Sequence, residues 1–481
     1  MKPSARVPNN SHTIAVIGAG FSGTVVTAHL LTRGIGAPLR IVLINRSGPL
    51  ARGVAFGTTS SMHVLNVPAG RMSAFATDED DFVRFAKAHN PAIVGGSFAA
   101  RRLYGEYLAF VLERARAGAA PGVTLTHNAA EAVSIAPTGD GSRAVIGLGT
   151  GEQLIADRVV LAQGNYAPVH PQMADEDVLA SPAYIRDPWE RDALSRVRSD
   201  APVLLYGTGL TMLDVVLDLA AQFPAAAFLA LSRRGLVPIA HRQNTAPPAY
   251  AHLPPKLVAC EPTAVAYLRA VRRHVRHVAA AGVDWRDVVA SLRPVTPRLW
   301  EALPFAERAR FLRHVRPYWE VHRHRAAPEL VGRLDQLRAE GRLTIRAARV
   351  LSMRLGAGGV DVTFRPRGSN AIQVVTVGTV VNCTGPNGDV RSIPDPLVAD
   401  LRQRGLIRPD PLGLGVEVTD DYAAVDADGR ASRVLYVTGP LLRARWWEAT
   451  AVPELRVHAA IVAERLATQL AEANRRRRSI A

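Results

Sequence analysis

Two short glycine-rich turns constrain this chain more than any other feature, because each stands between an apolar strand-like run and a helix-like run. The first, Gly18-Ala19-Gly20-Phe21-Ser22-Gly23, follows a predicted strand over 14–17 and precedes a predicted helix over 24–32. The second, Gly207-Thr208-Gly209-Leu210-Thr211-Met212, follows a predicted strand over 201–206 and precedes a helix over 211–222. A strand that turns sharply into a helix presents free N–H groups and the positive end of the helix dipole, which together seat a pyrophosphate. In the first turn Gly18 permits the tight bend, Gly20 lets a phosphate approach the backbone, and Gly23 lets the helix pack on the strand. In the second turn Met212 takes the place of the third glycine. A further strand follows each helix, over 40–44 and 227–231, which completes the context such a turn requires. The predicted fold class is α/β: two Rossmann-like dinucleotide-binding domains of the three-layer ββα/βα type, with a helical insertion. The usual chemical reason for two such sites is to set a flavin against a nicotinamide.

Side chains around the turns refine that expectation. The second strand of such a unit commonly ends in an acidic residue on the ribose, whereas here it ends in Asn45. After the matching strand of the second unit come Arg233 and Arg234, which suit a 2′-phosphate and favour NADPH, with NADH as the alternative. Strand-like runs closing in Gly164 and Gly385 are both predicted to end beside the first nucleotide. The irregular stretch His63–Phe75 supplies Arg71 and Met72 as cofactor contacts, and His63, Asn66 and Arg71 as catalytic candidates by location. Near the C-terminus, Gly439, Thr450 and Val452 mark a turn and a helix start, whose N–H groups would suit a flavin carbonyl. With Phe21, Ser22 and Thr211 in the turns themselves, these complete the candidate binding residues. The segments 284–300 and 316–325 are rich in Arg, His and Trp, and either cover a nucleotide, bind an acidic substrate or form a packing seam.

Bulk properties exclude several classes. The net charge of +16 invites a nucleic-acid reading, but only Lys2, Lys87 and Lys256 are lysine among the 58 basic residues. Such arginine excess alongside abundant alanine reads as a GC-rich coding bias, so no specific nucleic-acid partner is expected. Arg475–Arg478 is expected to be a solvated basic tail. Cys260 and Cys383 form no Cys-x-x-Cys, which argues against a zinc site and against a redox disulfide. No metal is expected. No apolar run approaches the roughly 20 residues of a membrane span, and residues 1–13 lack the apolar core of a signal peptide, so the expected location is the cytoplasm.

Together these residues resemble the two-dinucleotide-binding flavoproteins, and within them the bacterial FAD/NAD(P)-binding protein family. The resemblance runs from about Thr13 to Leu470 and rests on Gly18–Gly23, Leu65–Ser73, Gly207–Asp214, Arg316–Arg325 and Trp447–Arg456. It implies FAD on the first unit, NAD(P)H on the second, and a first domain interrupted by the second. The implied boundaries are 1–198, with a small antiparallel meander at about 123–162; 199–345, with the helical insertion at about 247–343; and 346–481, returning to the FAD domain with a C-terminal helix. A second likeness is to N-hydroxylating flavin monooxygenases, carried by Asp157, Leu161, Ala162, Gly164, Tyr166, His170 and Pro171. Gln163 stands where those enzymes have threonine, and Asn165 is an extra residue. That likeness implies a monooxygenase that consumes NADPH and molecular oxygen to hydroxylate a small nucleophile such as an amine. The alternatives are a reductase passing electrons to a quinone or protein acceptor, and a non-catalytic nucleotide-binding sensor or scaffold. The C-terminal helix offers a surface for homo-oligomer pairing.

Overall fold

The computed structural model describes residues 11–46, 49–242 and 253–480; the side chains of 254 and 477–480 are outside the description. Residues 1–10 of the N-terminal stretch and residues 247–252 of the expected helical insertion lie outside the described residues. The chain divides into two compact units. One comprises the residues up to Thr58, Ala69–Asn165 and Gly388 onward; the other comprises Thr59–Pro68 and Tyr166–Asn387.

The first unit is built on β1 (His12–Ile17), β2 (Leu39–Ile44) and β3 (Val123–Asn128). β1 pairs in parallel with β2, and β2 with β3. A three-stranded antiparallel sheet follows, made of β4 (Ala132–Pro137), β5 (Ala144–Leu148) and β6 (Gln153–Ala156). β7 (Arg158–Leu161) then returns to pair in parallel with the other side of β1. The expected meander is thus shorter at both ends. Its outer strands belong to the main sheet, because Gly122 (φ +77°) turns the chain so that its carbonyl accepts from Leu39 N–H at 3.0 Å. Every residue of β1 except Thr13 is buried, the mark of a strand covered on both faces.

The second unit holds β8 (Tyr184–Ile185), β9 (Val203–Tyr206), β10 (Phe228–Ser232), β11 (Leu343–Gly356), β12 (Gly359–Pro366), β13 (Gln373–Val377) and β14 (Thr379–Asn382), in the order β13-β12-β11-β10-β9-β14-β8. β9, β10, β11, β14 and β8 run parallel, and β12 and β13 extend the sheet as antiparallel strands. This corrects the expected return at 346: the chain stays in the second unit until Asn387, and 166–198 joins that unit as well. The reason is topological. The helix Pro328–Ala339 is a crossover that delivers β11 alongside β10, and three more strands follow in the same sheet. Among the described residues, the helices of the insertion run from Leu253 to Ala339.

The C-terminal part completes the first sheet with β15 (Ala423–Val425) and β16 (Ala431–Val437), the latter parallel to β7. The final helix, Val452–Ile480, continues through Arg475–Arg478, the stretch expected as a solvated basic tail. It packs on the helix Phe21–Arg33, where Arg33 pairs with Glu464 at 2.7 Å.

Candidate functional site

Both glycine turns adopt the same conformation for the same steric reason. Gly18 has φ +103° and an added Cβ would collide with the Ala162 carbonyl, at the end of β7. Gly207 has φ +116° and its Cβ would lie 2.5 Å from the Cys383 carbonyl oxygen, at the end of β14. Each first glycine is therefore required by the neighbouring strand. The helix caps also coincide, with φ/ψ of −79°/−162° at Gly20 and −84°/−163° at Gly209, and no side chain occupies either cap. Gly209 has nothing within 4 Å of a Cβ position, and Gly20 only the Gly53 Cα at 3.7 Å. The middle glycines thus face open space, where a phosphate would approach. Gly23 differs from its counterpart: its Cβ would collide with the Gly18 carbonyl, while Met212 is a fully buried core residue.

Around the first turn lie residues that the sequence reading missed. Gly53 (φ +56°) would place a Cβ 2.9 Å from Gly20 Cα, so the chain at 52–56 passes directly over the turn. Gly105, on the helix Arg101–Ala117, admits no Cβ against the Phe56 carbonyl. Tyr104 is fully buried among Phe56 and Phe82, with ring centroids at 4.6 and 4.9 Å, and burial raises its hydroxyl pKa well above normal. Its Oη has no hydrogen-bond partner among the described residues, and neither do Arg52 Nε, Gln163 Oε1 and Thr438 Oγ1. Gln163 follows Ala162 against Gly18, and Thr438 precedes Gly439 (φ +90°), whose Cβ would meet Ser22 Oγ at 3.3 Å. Unsatisfied buried polar atoms cost about 1–3 kcal/mol each, and a polar cofactor is a natural partner for them. The residues fit an FAD site. The signal in the sequence was Gly53 and Gly57 so soon after the first unit, but nothing local said what they passed over.

Of the other candidates in this unit, Asn45 donates its backbone N–H to Asn128 O at 3.0 Å, and the next residue, Arg46, pairs with Glu131 and Asp395. Gly164 (φ +74°) has open space around it. Arg71 is exposed and Met72 buried, on a segment tied down by Gly70 N–H to Gly95 O at 2.8 Å. The chain after it is held by Asp81, which accepts from Arg114 at 2.8 and 2.6 Å and from Tyr107 at 2.7 Å. Thr450 is exposed just before the final helix, and Val452 is buried at its start.

His63 and Asn66 fall in the second unit, not with Arg71 in the first. His63 is buried with its ring 5.3 Å from Trp189, and the Asn66 carbonyl is hydrogen-bonded to His241 Nε2 at 3.0 Å. Gly385 (φ +88°) is likewise in the second unit. Its strand, β14, pairs with β9, so it closes beside Gly207. Thr211 sits partly exposed in the first helical turn after Gly209. The loop after β10 is fixed by Thr208 Oγ1 against Ser232 Oγ (2.8 Å) and by Gly235 N–H to Ser232 Oγ (3.0 Å). Arg233 on that loop is exposed, whereas Arg234 reaches the Arg313 carbonyl at 3.3 Å and stacks on Tyr318.

The monooxygenase-like fingerprint also splits. Asp157 binds the first strand, accepting from Thr13 N–H at 2.8 Å and contacting His12. Burial works against its charge, yet these hydrogen bonds hold its pKa below the ordinary value. Tyr166 and His170 belong to the second unit, where Tyr166 bridges Asn387 and His170 contacts the Tyr184 hydroxyl at 3.3 Å. Both cysteines are free. Burial, with Asp214 nearby, raises the Cys383 pKa and keeps it an inert thiol. No group of metal-ligating side chains and no helix long and apolar enough to cross a membrane occurs among the described residues.

Residues 15–166 match the model of an FAD-NAD(P)-binding family. An uncharacterised protein of Mycobacterium tuberculosis is 23% identical over 366 residues, 70% of this chain and 64% of that protein. An L-aspartate N-monooxygenase (nitrosuccinate-forming) of Streptomyces davaonensis is 30% identical over 250 residues, 42% of this chain and 38% of that enzyme. The fold is that of the ornithine hydroxylase of Pseudomonas aeruginosa, with a TM-score of 0.64 and 16% identity, covering 96% of this chain and 100% of that one.

Proposed function

We propose that this chain, an FAD-NAD(P)-binding protein over residues 15–166, is an oxidoreductase that holds FAD on its first glycine turn and takes electrons from NAD(P)H on its second. The observation that carries the reading is the matched pair of turns. Each has a first glycine that its own sheet demands and a middle glycine that packing leaves open. Bound FAD would supply a two-electron acceptor able to pass electrons onward. The chain's own part is to bind and orient. The uncapped start of the helix Phe21–Arg33 would face the pyrophosphate, and Arg52, Tyr104, Gln163 and Thr438 carry buried polar atoms that would meet the cofactor. Exposed Arg233 would take the 2′-phosphate of NADPH.

Within that class we favour hydroxylation of a small amine by molecular oxygen. The support is the likeness in sequence to an L-aspartate N-monooxygenase and in fold to an ornithine hydroxylase. The test begins with the absorbance of the purified protein, which is expected to show bound flavin and to bleach when NADPH is added without oxygen. A colourless protein that FAD does not reconstitute would overturn the oxidoreductase reading. NADPH oxidation that yields only peroxide with every amine tried would leave a reductase and overturn the hydroxylase.

A further inference from the structure

The helical insertion of the second unit contains a knot of guanidinium groups around one indole. Trp285 lies in the first turn of the helix Trp285–Ser291, capped by Asp284, whose side chain accepts from Arg286 N–H at 2.7 Å. The Arg286 guanidinium lies 4.5 Å from the Trp285 ring centroid and that of Arg325 lies 5.9 Å from it. The His322 ring approaches the same indole edge-on at 5.0 Å. A backbone bridge secures the arrangement: His241 N–H donates to Ala326 O at 2.9 Å, and Ala326 N–H to Ile239 O at 3.0 Å. That bridge sets Arg325 beside the strip carrying Arg242.

The two carboxylates in the cluster are already engaged. Asp287 accepts from Arg242 at 2.5 Å, and Asp284 holds Arg286, which also donates to Ala240 O at 3.0 Å. Arg325 Nε is enclosed without a hydrogen-bond partner among the described residues. Burial, together with Arg286 and Arg323, brings the Arg325 pKa down to about 10, against the opposing pull of Asp284 and Asp287. With Arg242 paired to Asp287 and Arg286 to Asp284, the Arg325 guanidinium is one positive charge in excess of those two carboxylates. Packing alone would select an apolar residue at such a position.

We propose that Arg325, with Arg286 and the Trp285 face, forms a binding site for a small carboxylate ligand. A guanidinium stacked on an aromatic ring uses its face and leaves its N–H edge for an in-plane partner. A carboxylate matches that edge with two parallel hydrogen bonds and neutralises the excess charge. The site is independent of the redox reading, because binding is measured on the oxidised protein without nucleotide.

The probe is succinate, titrated calorimetrically into wild type, Arg325→Gln and Arg325→Lys, with inorganic phosphate as a second anion. Succinate is expected to bind wild type, to bind Arg325→Gln at least about tenfold more weakly, as loss of a charge-assisted hydrogen bond implies, and to bind Arg325→Lys at an intermediate level. Phosphate is expected to bind more weakly than succinate. In the absence of ligand, Arg325→Gln is expected to melt no lower than wild type, since the like-charge crowding is relieved. The ratio of NADPH to NADH affinity is expected to be the same in both proteins. No succinate binding to wild type, equal succinate binding to Arg325→Gln, or tighter binding of phosphate than of succinate would overturn the proposal. A selective loss of NADPH over NADH in Arg325→Gln would also overturn it, by giving Arg325 to the nucleotide phosphate. Should Arg325→Gln not fold, Arg325→Lys alone decides: unchanged succinate affinity would refute the planar, two-bond contact.

Discussion

Replacing Gly207 and Gly209 separately by alanine separates the glycine that the fold needs from the glycine that a ligand needs. At Gly207 the φ of +116° lies where side chains are rarely tolerated, and such strain costs about 1–3 kcal/mol. The new methyl would also sit 2.5 Å from the Cys383 carbonyl oxygen, against an ordinary contact of 3.4 Å or more, so the two strand ends must part by nearly 1 Å. Overpacking of that kind adds about 1–3 kcal/mol, for a total of roughly 2–6 kcal/mol. At Gly209 φ is −84° and nothing lies within 4 Å, so only the weaker capping of alanine applies, about 1 kcal/mol or less. Thermal unfolding of the two variants is therefore expected to differ by several degrees or more, at about 2–4 °C per kcal/mol for a domain of this size. The affinities are expected to run the other way among folded proteins. Gly209→Ala should stay near wild-type stability yet lose about tenfold or more in NADPH affinity, measured by equilibrium titration, because its methyl occupies the phosphate approach. Equal melting temperatures for the two variants would refute the close packing against Cys383. Undiminished NADPH binding by Gly209→Ala would refute the assignment of the open space to the nucleotide.

Three further outcomes are expected. Arg233→Ala should raise the KM for NADPH about tenfold or more and that for NADH little; equal effects would remove the phosphate role. Asp81→Ala leaves Arg114 and the buried Tyr107 hydroxyl without their shared acceptor, and should destabilise the first unit by about 1–3 kcal/mol in denaturant unfolding; no measurable change would show that the network is not formed. Burial depresses the pKa of His458 to about 4, with Glu454 opposing, and its Nδ1 lies 2.7 Å from the Tyr422 hydroxyl. The unfolded chain then binds a proton near pH 6.5 that the folded chain refuses until about pH 4, so this group's contribution is whole above pH 6.5 and is lost as pH falls toward 4, about 3 kcal/mol in all. His458→Gln should flatten stability against pH across that window, and an unchanged slope would refute the burial.

The pair of nucleotide sites was legible in the residues because the requirement is local. A strand end that must turn with φ above zero, and then open a helix without an obstructing side chain, admits glycine at Gly18, Gly20, Gly207 and Gly209 and little else. The membership of strands was not legible. Val380–Gly385 reads from its composition like Arg158–Gly164, and only backbone pairing with β9 places Gly385 beside Gly207. The same holds for His63 and Asn66, which stand a few residues from Arg71 in the chain yet belong to a different unit. Gly53 over Gly20, Tyr104 in its aromatic nest and Arg325 on Trp285 were all invisible, since each contact joins segments tens of residues apart. Backbone conformation is a property of one residue and its neighbours and is carried in the sequence itself. Pairing, burial and the convergence of charge depend on distant segments being brought together, and those the tertiary structure alone decided.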